Sequence, residues 1–134
     1  MISYDSNIFI YYLEGHSQFG PAAKKLIEAS GIVQLSVVLK QEVLTGYSVR
    51  GDSAGFENAL QALHSLQTTI FCEVTDRIIE KASWLTLEYG RKLRGYDAIH
   101  LATALENGMD VFYTNDRELL AVGKVGRLEL RDSI

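Results

Sequence analysis

The sequence is poor in cysteine and proline, and it has no long hydrophobic run. Its 134 residues include a single cysteine, Cys72, and a single proline. A lone cysteine cannot form an internal disulfide, and no group of Cys and His has zinc-finger spacing, so a disulfide scaffold and a structural zinc site are excluded. The apolar stretch after the first residues is interrupted by Asp5, Asn7 and Glu14. We therefore expect neither a signal peptide nor a membrane span, and we expect a cytoplasmic protein.

The sequence also lacks an excess of positive charge. It has 13 Lys and Arg against 17 Asp and Glu, which gives a net charge of −4. Affinity for a polyanion cannot come from bulk charge, so nucleic-acid binding would need a local basic patch or bound cations. Hydrophobic residues make up 47% of the chain, which is a globular composition, and no linker divides it. We expect one domain over residues 1–134.

Five segments have strand patterns, and segments with helical spacing of apolar residues lie between them. The predicted strands are residues 2–4, 32–36, 68–74, 110–114 and 127–130. Ser30 and Gly31 are predicted to end the second helix. Strands that alternate with helices indicate an α/β sandwich around a mainly parallel sheet.

Four acidic residues fall where strands end or helices begin. Asp5 ends the first predicted strand, and Asp116 follows the fourth. Asp97 begins a helix, where the helix dipole favours a carboxylate, and Glu42 lies on the helix after the second strand. Ligands of open parallel sheets bind at the carboxyl ends of the strands, so we expect the four acids to meet there.

Carboxylates that share a crevice repel each other unless a cation neutralises them. Ligands that are all oxygen suit Mg²⁺ or Mn²⁺. Such an ion polarises a phosphoryl oxygen and lowers the pKa of bound water, and two ions would clamp the attacking and leaving oxygens. The pattern therefore predicts phosphodiester hydrolysis without a protein nucleophile.

At these residues the sequence resembles the PIN domain family of metal-dependent ribonucleases, and more closely the VapC-type toxins of toxin–antitoxin pairs. Four segments carry the resemblance in order along the chain: Tyr4-Asp5-Ser6-Asn7 with the apolar run after it, Glu42-Val43-Leu44-Thr45-Gly46, Tyr96-Asp97-Ala98-Ile99-His100-Leu101-Ala102, and Tyr113-Thr114-Asn115-Asp116. The resemblance implies a three-layer α/β/α sandwich with a mainly parallel five-stranded sheet in the order 3-2-1-4-5.

The resemblance also implies roles for individual residues. Asp5, Glu42, Asp97 and Asp116 would be the catalytic acids that bind Mg²⁺ or Mn²⁺, with Asp5 and Asp97 as direct ligands. Glu42 would hold water or a second ion and accept a proton from the attacking water. Residues expected to support these acids are Ser6, Thr114 and Asn115.

Basic residues close to the acids are candidate contacts for RNA phosphates. Arg94 lies in the basic loop before Asp97, and Lys40 lies two residues before Glu42. His100, one turn after Asp97, is expected to be a hydrogen-bonded structural histidine rather than a metal ligand or general acid. The tyrosines Tyr11 and Tyr12, together with Phe9 and Trp84, are interpreted as core or dimer contacts rather than base-stacking platforms.

The resemblance further implies partners: an RNA substrate, a cognate VapB-like antitoxin and a second copy in a homodimer. Two other interpretations remain open. A metal-dependent phosphohydrolase would use Asp5 as a covalent nucleophile, although Asn7 stands where a second Asp is expected. A non-catalytic acidic module that binds Mg²⁺ would need a Lys at the end of a late strand, where this chain has Thr114-Asn115-Asp116.

Overall fold

The chain forms a mainly parallel sheet with helices packed against both of its faces. The structure, a computed structural model, describes residues 1–29 and 31–134. Ser30, predicted at the end of the second helix, lies outside the described residues. The strands are β1 (Ile2–Tyr4), β2 (Val33–Ser36), β3 (Thr69–Cys72), β4 (Val111–Tyr113), β5 (Lys124–Val125) and β6 (Leu128–Arg131).

Helices connect these strands in alternation. They are α1 (Ser6–Glu14), α2 (Gly20–Ala29), α3 (Val38–Val49), α4 (Ser53–His64), α5 (Asp76–Tyr89), α6 (Gly95–Glu106) and α7 (Arg117–Val122), with a short 3-10 helix at Gly90–Lys92. Side-chain caps fix several of the helix starts. Thr75, for example, accepts the backbone N–H of Ile78 and so begins α5. Within the described residues, none of these helices combines the length and the apolar character needed to cross a membrane.

The sheet order is β3-β2-β1-β4-β6-β5. All neighbouring strands are parallel except β5, which pairs antiparallel with β6. The predicted fifth strand is β6, so the predicted order of the five parallel strands is confirmed. The prediction of five strands missed β5, because a two-residue strand is too short to show alternation.

Two buried clusters lie on opposite faces of the sheet. Successive residues of a strand point to opposite faces, and on β4 Phe112 joins one cluster while Tyr113 packs against the other. The Phe112 face is covered by α5 and α6 through Leu85 and Leu101. The opposite face is covered by α1 to α4, with Phe9 of α1 fully buried. The chain is therefore a three-layer α/β/α sandwich.

Strands are added on both sides of β1, so the order of the strands changes side at this position in the sheet. The first connections lead from β1 to β2 and β3 on one side, and the later ones lead to β4 and β6 on the other. The loops that leave β1 and β4 therefore diverge at their carboxyl ends and open a crevice, which is the usual ligand position in such a sheet.

Candidate active site

Asp5 lies at the carboxyl end of β1, in the middle of the sheet. Its backbone N–H donates to the carbonyl of Tyr113 at 3.2 Å, which extends the pairing of β1 with β4 by one residue. Its side chain caps α1, since Oδ1 accepts the backbone N–H groups of Asn7 at 3.1 Å and Ile8 at 3.3 Å. Asp5 is only 4% exposed, and the next residue, Ser6, is also buried.

Burial makes the ionised form of Asp5 costly. Loss of solvent raises the pKa of its carboxyl from 3.8 to about 6, although hydrogen bonds from Thr114 and Ile8 act in the opposite direction. The charge of Asp97 raises the pKa further, while His100 lowers it. A buried carboxyl with an acidic neighbour is stabilised in its charged form by a bound cation.

Thr114 joins Asp5 to Asp116. Its hydroxyl donates to Asp5 Oδ2 at 2.5 Å, and the hydroxyl oxygen of Thr114 accepts the backbone N–H of Asp116 at 3.0 Å. Thr114 itself is fully buried. Asp116 caps α7, because its Oδ1 accepts the backbone N–H of Glu118 at 2.8 Å. One hydroxyl thus fixes the loop after β4 against the acid that follows β1.

The side chain of Asn115 binds the C-terminal segment. Its Nδ2 donates to Asp132 Oδ1 at 2.5 Å, and its Oδ1 accepts the hydroxyl of Ser133 at 2.9 Å. Arg117 pairs with the other oxygen of Asp132 at 3.4 Å. Asn115 therefore supports the loop that carries Asp116. Within the described residues, its side-chain amide forms no hydrogen bond to the four predicted site acids.

Asp97 lies in the first turn of α6 and is half-buried. Burial raises the pKa of its carboxyl, and the charges of Asp116, Glu42 and Glu118 raise it further, while His100 lowers it. Charges in a protein influence each other this way only over short distances. Asp97 therefore lies within electrostatic reach of Asp5, Glu42 and Asp116.

Glu42 reaches the same region from α3. It is half-buried, and its Oε1 contacts Nε2 of the buried His100 on α6. Lys40, on the same helix, points to β3, where its Nζ lies 4.4 Å from the centre of the Phe71 ring. This cation–π contact directs the Lys40 charge to the sheet, so its contact with an RNA phosphate stays a prediction.

A polar cleft of about 350 Å³ lies beside these acids. Asp97 and Glu118 line it together with three exposed cations, Arg91, Lys92 and Arg94. Positive charge therefore lies next to carboxylates at the mouth of the crevice, as predicted for Arg94 from the basic loop.

Sequence reasoning missed two residues near the site. Tyr11 packs against the core cluster of the α1 face, in agreement with its interpretation as a core contact, and its half-buried ring also stacks on Phe19 at 4.9 Å. Burial and the charges of Asp5 and Asp116 raise the pKa of its hydroxyl. Glu118 follows Asp116 by two residues, and this short spacing was the signal for it. Tyr11 lacked such a signal, because helical spacing alone does not separate core residues from residues at a site.

The donor set fits a hard divalent cation. Within residues 1–29 and 31–134, no three Asp, Glu, His or Cys side chains stand close enough together to enclose one ion. The acids nevertheless raise one another's pKa, as Asp97 does for Asp5 and Asp116 does for Asp97. A cation between them would remove this repulsion, and carboxylate oxygens are the ligands that Mg²⁺ and Mn²⁺ prefer.

The strand order and the helices on both faces of the sheet define an α/β domain with PIN-type architecture. The chain belongs to the PIN domain family, since the family's model matches residues 2–125. No curated protein matches the chain.

Similar solved structures share the whole fold. A toxin–antitoxin complex from Klebsiella pneumoniae contains a chain with 23% identity and a TM-score of 0.71, covering 96% of this chain and 95% of that one. VapC20 of Mycobacterium tuberculosis, a sarcin-ricin loop cleaving toxin, has 19% identity and a TM-score of 0.77, covering 96% and 99%. VapBC2 of Rickettsia felis, bound to a DNA fragment from its promoter, has 18% identity and a TM-score of 0.73, covering 98% of both chains. At these identities the likeness shows the fold.

Proposed function

We propose that this chain is a metal-dependent endoribonuclease that hydrolyses RNA phosphodiester bonds, and that it is the toxin of a toxin–antitoxin pair. The observation that carries the proposal is the position of the buried Asp5 and of Asp116 on either side of the Thr114 hydroxyl, with Asp97 near enough for its charge to raise the pKa of Asp5. Membership of the PIN domain family supports a nuclease. The similarity to a sarcin-ricin loop cleaving toxin favours RNA as the substrate.

In this proposal, Asp5 and Asp97 hold Mg²⁺ or Mn²⁺ directly, and Asp116 binds it directly or through water. A bound divalent ion supplies charge neutralisation at the phosphate and lowers the pKa of a coordinated water. The other acid, Glu42, accepts the proton of the attacking water. The water oxygen forms the new bond to phosphorus, and the bond to the leaving sugar oxygen breaks.

Cations at the rim hold the RNA backbone. Arg91, Lys92 and Arg94 are exposed beside Asp97 in the same cleft, and this position supports a contact with the RNA backbone. Because the net charge of the chain is −4, this local patch rather than the overall field attracts RNA.

The environment of Asp5 argues against its use as a covalent nucleophile. Its Oδ1 accepts two backbone N–H groups, and its Oδ2 accepts the hydroxyl of Thr114. These hydrogen bonds stabilise the charge of the carboxylate and so make it a weaker nucleophile. Incubation with a small phosphate ester followed by a search for phospho-aspartate tests this alternative, and we expect none to form.

A cognate antitoxin is the proposed regulator. The similar structures include toxin–antitoxin complexes, and a cluster of acids attracts a basic side chain from a partner. We also propose a homodimer. Co-expression with the product of a neighbouring small gene should give a complex and relieve growth inhibition. A free chain that remains toxic beside that product would refute the pairing.

The main experiment is an RNA cleavage assay with the purified, antitoxin-free protein. The substrate is a panel of structured RNAs in Mg²⁺ or Mn²⁺, with EDTA and the variants Asp5→Ala and Asp97→Asn as negative controls. Glu57→Gln, an exposed acid of α4, is the matched control and should cleave like the wild type. Cleavage that persists in EDTA or in Asp97→Asn would contradict the proposal, and Mn²⁺ binding without cleavage would favour a binding module.

A further inference from the structure

The inference concerns His100 of α6, and it rests on the proposed function. His100 lies one turn after Asp97 and is only 2% exposed. Its Nε2 contacts Oε1 of Glu42, so the imidazole bridges α6 and α3 beneath the acidic crevice. Two helices that carry different acids of the proposed site are therefore joined by this partly buried contact, beside an exposed hydrogen bond from Tyr96 to Gln41 at 3.3 Å.

The second nitrogen of this imidazole, Nδ1, has no hydrogen-bond partner in the part of the chain that the structure describes. Nδ1 is also buried. A histidine that serves the core usually has its buried polar atoms satisfied, because an unpaired polar group costs free energy. Among the described residues the ring makes one polar contact, and that contact is with Glu42. A leucine could fill much of the same volume without burying an unpaired nitrogen, so packing alone does not explain the histidine.

The contact also determines which nitrogen of the ring donates to Glu42. Oε1 of the Glu42 carboxylate is an acceptor, so Nε2 carries the hydrogen of this bond. The bond occupies Oε1 of Glu42 and leaves Oε2 as the oxygen for a water or an ion. A carboxylate held through one oxygen loses the rotational freedom that would otherwise spread Oε2 over several positions.

We propose that His100 is a positioning residue that fixes the carboxylate of Glu42 through its Nε2–H bond to Oε1. It does not touch the substrate in this proposal. Its contribution is the orientation of the group that accepts the proton of the attacking water, so its loss lowers the rate of chemistry and leaves RNA binding unchanged.

The test compares two substitutions with opposite expectations. Gln carries its amide nitrogen where Nε2 lies, so His100→Gln keeps the donor, whereas His100→Leu keeps the bulk and removes it. We expect His100→Leu to lower kcat about 10- to 100-fold with KM within about twofold, and His100→Gln to restore most of the rate. His64→Leu, at an exposed histidine of α4, is the matched control and should leave kcat unchanged. Thermal unfolding verifies that each variant folds.

A double-mutant cycle then separates positioning from general destabilisation. If His100 acts through Glu42, adding His100→Leu to Glu42→Gln lowers kcat no further. An equal loss in both backgrounds, or wild-type kcat in His100→Leu, would overturn the proposal.

A second readout does not depend on catalysis. In metal-free protein, ¹⁵N NMR of the imidazole should show a hydrogen on Nε2 of His100, with a resonance that shifts in Glu42→Gln. If the wild type cleaves no RNA, the proposed function fails, and the NMR result alone decides whether Glu42 and His100 are linked. An unchanged His100 resonance in Glu42→Gln overturns the link.

Discussion

The hydroxyl of Thr114 donates to Asp5 Oδ2 at 2.5 Å, and its oxygen accepts the backbone N–H of Asp116 at 3.0 Å. This single buried side chain thus connects the acid after β1 with the acid after β4. It also stabilises the charge of Asp5, since the hydrogen bond lowers the pKa of that carboxyl against the effect of burial.

Replacing Thr114 by Val removes this bond but keeps the shape of the side chain. We expect Thr114→Val to raise the pKa of Asp5 further and to lower kcat for RNA cleavage about 10- to 100-fold, as is typical for the loss of a group that orients a ligand. Thr114→Ser keeps the hydroxyl and should retain most of the activity. Equal rates for the Val and Ser variants in a kcat measurement would show that the bond has no role.

Asp5 should destabilise the metal-free protein at neutral pH. Its pKa is about 6 in the folded state against 3.8 as the ordinary value, so the folded state binds the proton more tightly. The protonated carboxyl therefore contributes to the free energy of unfolding at low pH, and this contribution is lost as pH rises through about 4 to 6. One unit of pKa corresponds to about 1.4 kcal/mol, so the full effect is about 3 kcal/mol.

Urea unfolding in EDTA at pH 4 to 8 measures this effect. Relative to the wild type, Asp5→Asn should gain free energy of unfolding as pH rises and reach a plateau above pH 6 to 7, because Asn stays neutral and still caps α1. Glu57→Gln serves as the exposed control and should follow the wild type. A difference between Asp5→Asn and wild type that does not change with pH would contradict the perturbed pKa.

The basic cleft should act on RNA binding rather than on chemistry. Arg94→Ala is expected to raise KM severalfold, to leave kcat within about twofold, and to reduce the slope of log affinity against log salt by about 1. Arg127→Ala is the matched control, because Arg127 lies in the turn between β5 and β6 and approaches Gly108 before β4, at the amino end of the sheet. Equal effects of both variants on KM would show that the basic cleft does not bind the RNA.

The C-terminal segment should hold the loop that carries Asp116. Asp132→Ala releases Asn115 and Arg117 together, and we expect kcat to fall about three- to tenfold because a loosened loop misplaces its carboxylate. Glu129→Ala breaks only an exposed pair with Arg131 and should change little, as surface ion pairs contribute less than about 1 kcal/mol. Cleavage kinetics compare the two, and a kcat of wild-type size in Asp132→Ala would exclude the support.

Much of the site is predictable from the sequence, because Asp5 directly follows β1, Asp116 lies three residues after the end of β4, and these two strands pair in the sheet. The carboxyl ends of parallel strands lie at one edge of the sheet, and the order of the strands determines where the crevice opens along that edge. The contact between Glu42 and His100 is different, since it depends on how α3 packs against α6. Helical spacing shows which face is apolar, but it does not define which side chains of two helices meet. The proximity of Tyr11 to Asp5 and Asp116 was not predicted either, because helical spacing does not separate core residues from residues at a site.

Equilibrium binding of Mn²⁺ tests most directly whether these acids share one cation. Calorimetric titration of the metal-free protein at pH 7.5 should show Mn²⁺ binding to the wild type and to Glu57→Gln, and at least about tenfold weaker binding to Asp97→Asn, whose carboxyl interacts with three of the other acids. Binding to Asp97→Asn with the affinity of the wild type would contradict the account.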